Sequence, residues 1–205
     1  QRQRVALGRA LAMRPYWRWL ASLAEGALIC GRNREAISWC ERLLQSDPAD
    51  TCDVRFTYAY ALAKLEDEAG LDALEARYAK ISPTRGADDA WMLMARMALA
   101  HKACRMEEAQ GLLARICRTY PEAAVTLLRQ TELPDGEFAR LHVAPYSTDE
   151  LIIAASEGIV LLQEGADRTG RGVLGAWVAA QVAGMYPAVA LQVAAEMRQE
   201  GVQGK

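Results

Sequence analysis

The chain has 205 residues, with 24 Lys and Arg against 26 Asp and Glu, and that length suffices for a core needing no disulfide or metal staple. The near balance of charge argues against a nucleic-acid binder, whose affinity rests on releasing counterions from many phosphates. Apolar residues make up 52% of the chain with only 2 Phe among them, and the remainder is dominated by Ala, Leu and Val, a bias towards helix.

The first segment, Gln1 to Met13, reads as a basic amphipathic helix: Val5, Leu7, Leu11 and Met13 are apolar, and Arg2, Arg4, Arg9 and Arg14 are solvated. It occupies an N-terminal division, 1–16, whose start, at Gln1 without an apolar leader, is expected to have been trimmed. From Trp17 to Asp50 a helix-turn-helix unit follows. Leu20, Leu23, Ala24 and Ala27 lie on one stripe, Gly31 to Asn33 form a turn, Ala36, Cys40 and Leu43 mark a second helix, and Pro48 ends it. A second unit runs from Thr51 to Pro83, with Val54, Tyr58, Ala61 and Leu65 on one helix and Leu71, Leu74, Tyr78 and Ile81 on the next. A third spans Ala90 to Pro121, with Ala109 in the place that Ala36 takes in the first. Pro48, Pro83 and Pro121 recur 35 and 38 residues apart, close to the roughly 34-residue period of helix-pair solenoids. These units define a division at 17–121.

Beyond it, 122–205 is expected to hold a short helix from Glu122 to Arg129, then an irregular connection from Thr131 to Ser147 marked by Pro134, Gly136 and Pro145. Thr148 is read as the N-cap of an apolar helix through Leu162. A Gly-rich break at Gly165, Gly170 and Gly172 precedes two closing helices, Leu174 to Gly184 and Pro187 to Gln199, the second with its proline at the first helical position. The 24 residues from Gly172 to Ala195 carry no charge. Their Ala and Gly content, two Gln and Pro187 favour two packed helices over a membrane span.

The block Arg14, Pro15, Tyr16, Arg18, Leu23, Ala24, Gly31, Arg32, Glu35, Ala36, Ile37, Pro48, Asp50, Val54, Arg55 and Phe56 resembles the tetratricopeptide repeats of suppressor-of-tumorigenicity-type proteins and their bacterial relatives. It departs from them at Thr51, Cys52 and Asp53, where those relatives tend to carry Asn and Gly. The resemblance implies an all-α fold, a right-handed solenoid of helix pairs with a C-terminal helical cap, and no enzymatic chemistry. Gln1 to Pro15 is also similar to the helix after the signature glycines of ATP-binding-cassette ATPases. The phosphate cradle GxxxxGK[ST] of such an enzyme is not found in the sequence.

The five cysteines, Cys30, Cys40, Cys52, Cys104 and Cys117, form neither a CxxC pair nor a zinc spacing, and they point to a reducing, cytoplasmic setting. His101 and His142 lack partners at metal-ligating spacing, and no nucleophile elbow occurs. The expectation is therefore no catalytic residue, no metal and no cofactor. In a solenoid the first helix of each pair lines the concave face. By helical spacing that face presents Arg18, Arg55, Trp91, Met94, His101 and Lys102 to a protein or peptide partner, with the cations suited to a carboxylate. The resulting expectation is a scaffold or adaptor, with no nucleic acid and no membrane. Two other readings stand beside it: a regulatory or assembly segment of a larger enzyme joined through Gln1 to Met13, and a homo-oligomer formed through the last two helices.

Overall fold

Three turns in this chain are built alike. At each, a residue with positive φ ends a helix: Gly31 at 73°, Glu66 at 58° and Cys104 at 58°. The next residue's N–H reaches back five positions, Arg32 to the Ala27 carbonyl at 2.8 Å, Asp67 to Leu62 at 3.0 Å and Arg105 to Ala100 at 2.8 Å. This is the Schellman closure, which satisfies carbonyls that a helix end would otherwise leave open. The same three residues then receive the first N–H of the next helix, from Ala36, Leu71 and Ala109. Even the surface ion pair is repeated, Arg32 with Glu35 at 3.0 Å and Arg105 with Glu108 at 2.7 Å.

The computed structural model describes residues 2–81, 89–133, 143–166 and 170–203, with side chains from position 11 to position 200 within those bounds. Among the described residues the chain is all-α, with eleven helices and no strand. The three turns join α1 (Arg2–Ile29) to α2 (Asn33–Ser46), α3 (Val54–Lys64) to α4 (Glu68–Ile81), and α5 (Ala90–Lys102) to α6 (Met106–Thr119). After them come α7 (Ala123–Arg129), α8 (Thr148–Glu157), the single turn α9 (Ile159–Leu162), α10 (Val173–Met185) and α11 (Pro187–Gln203). Pro83, Pro134, His142, most of the connection expected at 131–147 and residues 167–169 of the Gly-rich break lie outside the described residues.

The chain divides into two compact units, Gln1–Gly86 and Ala87–Lys205. In the first, α1 packs on α2 and on α3, α2 packs on α3, and α3 packs on α4. Leu20, Ala24, Ala27, Ala36, Cys40, Leu43 and Leu44 are sealed between the helices. Ala36 is fully buried, because two helices that approach closely leave room for a methyl and little more. Arg77 on α4 donates to the Leu44 carbonyl at 2.8 Å, closing the end of α2 with a cation where the helix dipole is negative.

In the second unit α5 packs on α6 and α8, and α7 is central, touching α6, α8, α10 and α11. Ala109 is fully buried, like its counterpart Ala36. Arg129 binds α7 to α11 through Glu196 at 2.7 Å and Glu200 at 3.1 Å. Where α9 ends and α10 begins the two backbones nearly touch. A Cβ on Gly172 would lie 2.2 Å from the Glu164 carbonyl oxygen, and one on Gly175 would lie 2.4 Å from that of Leu162. Only glycine permits this approach.

Three local expectations are corrected. The break placed between 16 and 17 does not occur, since α1 continues through Pro15. Proline keeps a helical φ and removes a single donor, and Leu11, whose carbonyl loses that donor, is 48% exposed and within reach of water. The cap of α8 is Ser147, whose hydroxyl accepts from Glu150 N at 3.2 Å, and Thr148 is the first helical residue. The helix expected to run to Leu162 is interrupted at Gly158, which closes α8 onto the Ala154 carbonyl before α9 begins.

Candidate functional site

The six residues assigned to a concave groove fall into three different environments. Trp91 and Met94 are each 1% exposed, and Arg55 is 5% exposed. The reason is visible in the helices that carry them. Along α3 and α5 most side chains are apolar, so neither helix has a broad polar face to turn outward, and all but Tyr58, Lys64, Arg96, His101 and Lys102 are buried. These three are core residues and not a groove lining. Arg18 is exposed on α1. His101 and Lys102 are half-buried at the end of α5, His101 with its ring 5.0 Å from that of Trp177 and Lys102 paired with Glu164 at 2.7 Å. Burial lowers the pKa of His101, because the cation would lose solvation there.

Arg55 is the hub of a buried network. Its Nη1 donates to Asp50 Oδ2 at 2.7 Å and its Nη2 to Asp53 Oδ1 at 2.7 Å. Phe56 and Tyr78 hold the guanidinium, with ring centroids 4.5 and 4.6 Å from its carbon. Burial disfavours the cation, but the carboxylates of Asp50 and Asp53 outweigh it and hold the pKa above the ordinary arginine value. Asp50 also accepts from Val54 N at 2.8 Å and so starts α3. Asp47 does the same for the preceding turn, taking Thr51 N at 2.7 Å and its hydroxyl at 2.6 Å. Asp50 and Asp53 adopt positive φ, 51° and 54°. The segment 47–53 is thus a turn held by three aspartates. Cys52 sits within it, its thiol pKa raised by burial and then by Asp47.

A second polar centre lies in the other unit and was not expected. Glu150 is fully buried. Its Oε1 accepts from Tyr120 Oη at 2.9 Å and Ala90 N at 3.3 Å, and its Oε2 from Tyr146 N at 2.6 Å. Asp89 beside it caps α5, accepting from Met92 N at 2.9 Å. Trp91 Nε1 donates to Glu157 Oε2 at 2.7 Å. Through these three donors the carboxylate pins α5, the end of α6 and the entry of α8 together. The signal for it was present as Ser147-x-x-Glu150, a capping-box pattern. Here the glutamate reaches one residue further back than the box requires.

On the surface of the first unit Tyr16, Trp19 and Trp39 form a run of rings, with centroids 6.3 Å apart between Tyr16 and Trp19 and 6.5 Å between Trp19 and Trp39. Trp19 is 55% exposed. Arg42 lies over the Trp39 ring at 5.7 Å, and Trp39 Nε1 donates to Glu35 at 3.3 Å. In the second unit Val173 and Leu191 are 69% and 74% exposed. Among the described residues no group of three or more His, Cys, Asp or Glu is placed to hold a metal, and no helix is long and apolar enough to cross a membrane. No family model, no curated protein and no solved structure matches this chain.

Proposed function

We propose that this chain is a non-enzymatic, tetratricopeptide-like helical-repeat module that binds a polypeptide partner as a scaffold or adaptor in the cytoplasm. The observation that carries the reading is the threefold use of one helix-turn-helix closure, at Gly31, Glu66 and Cys104. Chains that repeat one hairpin present extended faces suited to other polypeptides. The two strongest polar centres, at Arg55 and Glu150, are buried and tied to protein groups, so their evident work is to fix helices. The cysteines are unpaired, as suits a reducing compartment. With Arg55, Trp91 and Met94 in the core, contact falls to outward residues such as Arg18, Trp19, Trp39 and Arg42.

The test is crosslinking of the full chain in its native cell through photoreactive residues placed on the exposed faces of α1, α2, α6 and α11. A discrete crosslinked protein supports the reading. A chain that crosslinks to no protein, or that turns over a small molecule, overturns it.

A second reading is favoured by one observation. From Gly172 to Ala195 there is no charge, and Val173, Leu191 and Met197 remain exposed on α10 and α11, as expected of a surface that associates with itself. Light scattering over a hundredfold concentration range would then show a rising mass that Leu191→Glu abolishes.

A further inference from the structure

We propose that Tyr16, Trp19, Trp39 and Arg42 form a docking surface for a short acidic segment of a partner protein, anchored by an apolar side chain of that segment. The proposal rests on the interaction-module reading above and assigns it a place and a partner chemistry.

Trp19 lies outside the core, and Tyr16 and Trp39 are half-buried beside it. The buried stripe of α1 is complete with Trp17, Leu20, Ala21, Ala24, Ala27 and Leu28, and Trp19 stands outside it at 55% exposure. The buried stripe of α2 is Ala36, Cys40, Leu43 and Leu44, and Trp39 stands outside that. Tyr16 and Trp19 are one helical turn apart and Trp39 faces them from the neighbouring helix, so the three rings make one patch across two helices. Contacts between tilted rings recover a little energy, yet leaving a half-exposed Trp on a folded surface forgoes most of the hydrophobic gain its burial would bring. Trp, Tyr and Arg are the residues enriched where interfaces concentrate their binding energy.

Charge selects the partner. Between Gln1 and Ala24 the sequence holds five arginines and no acidic residue, in a chain whose net charge is −2. Arg14 and Arg18 are exposed on α1 and Arg42 on α2. Glu35, an acid on the same helix as Trp39, is held by Arg32 at 3.0 Å and by the Trp39 indole. Arg42, placed over Trp39, offers a planar fork to a carboxylate while the neighbouring rings receive an apolar side chain. A net charge of −2 over the whole chain argues against the many phosphate contacts that nucleic-acid affinity requires. An acidic polypeptide segment with a Leu or Trp anchor satisfies both halves of the patch.

The probe is a fluorescein-labelled peptide of about a dozen residues alternating Asp or Glu with Leu and Trp, titrated with the full chain by anisotropy. A matched peptide with Lys in place of the acids, a single-stranded oligonucleotide and phosphatidylserine-containing vesicles run beside it. We expect the acidic peptide to bind at least about tenfold tighter than the basic one, and Trp19→Ala and Arg42→Glu each to weaken it by about tenfold or more. Arg42→Lys should recover part of the loss. Both sites are at the surface, so unchanged helix content and urea midpoint confirm that the variants fold. The proposal is overturned if the variants bind the acidic peptide as wild type does, or if only the oligonucleotide or the vesicles engage this patch. Cellular crosslinks from other faces of the chain together with unaffected Trp19→Ala would remove the docking assignment and leave the interaction-module reading standing.

Discussion

Replacing Arg55 by Met tests how the first unit is held together. Methionine fills much of the same space between Phe56 and Tyr78 but brings no charge, so Asp50 and Asp53 lose their cation. Removing one member of a buried ion pair costs about 3–5 kcal/mol. The lower end applies here, because Asp53 is 21% exposed and can turn to water. Asp50 also keeps the Val54 amide and, at 3.3 Å, the amide of residue 55 itself. Losing the guanidinium between two rings adds about 1 kcal/mol, partly offset by methionine's own packing. The expected destabilisation is therefore about 3 kcal/mol. In urea, with a slope of about 1–3 kcal/mol/M, the midpoint of the first transition falls by about 1–3 M. Far-UV circular dichroism reads it. Adding Asp50→Asn to Arg55→Met should return part of the loss by removing the stranded charge. A change under about 0.5 kcal/mol for Arg55→Met, or a double variant that loses the sum of the two singles, would refute the account of a buried, charge-dependent hub.

Other outcomes follow from the same coordinates. Gly31, Glu66 and Cys104 share one left-handed turn position, so Gly31→Ala should destabilise by about 1 kcal/mol while Glu66→Gly and Cys104→Gly stabilise by about 0.5–1 kcal/mol in thermal melts. Ala36→Leu and Ala109→Leu should each cost about 1–3 kcal/mol through overpacking, and Gly172→Ala a similar amount because the obstructing atom is backbone. His101 has a folded pKa below its unfolded value. The unfolded chain therefore binds the proton more readily, and stability present above pH 6.5 declines as pH falls through that value towards the folded one, a loss that His101→Gln should remove. Cys117, with its thiol pushed up to about 11 by burial, and buried Cys40 should resist alkylation under native conditions that label the exposed Cys30 and Cys104.

The all-helical character and most helix positions could be read from the chain, because Ala and Leu recur at helical spacing and the turns are punctuated by Gly and Pro. Ala36 and Ala109 could be read as equivalent positions of the first and third units, and both are fully buried. The groove was not readable in the same way. Spacing tells which residues share a helix face, but α3 and α5 have no broad polar face, so the assignment of Arg55, Trp91 and Met94 to an outward stripe had no contrast to rest on. Arg55 illustrates the difficulty. A cation in a sequence suggests solvent, and only the three-dimensional placement of Asp50 and Asp53, each in a left-handed conformation, shows that it is neutralised within the fold. Glu150 was hidden for a related reason: an acid in the first turn of a helix normally faces water, and its partners Tyr120 and Ala90 are 30 and 60 residues away.

The enclosure of α3 and α5 has a consequence for how this protein can change over time. A helix walled in on nearly every side is constrained by volume and polarity at most positions, while Ala, Leu and Met can trade places as long as the total fits. Outer helices such as α2 and α6 are constrained along one stripe only, and elsewhere any soluble side chain will serve. A saturation scan should show intolerance spread along the whole of α3 and α5, and elsewhere confined to buried stripes and close-contact positions such as Ala36, Ala109, Glu150 and Gly172.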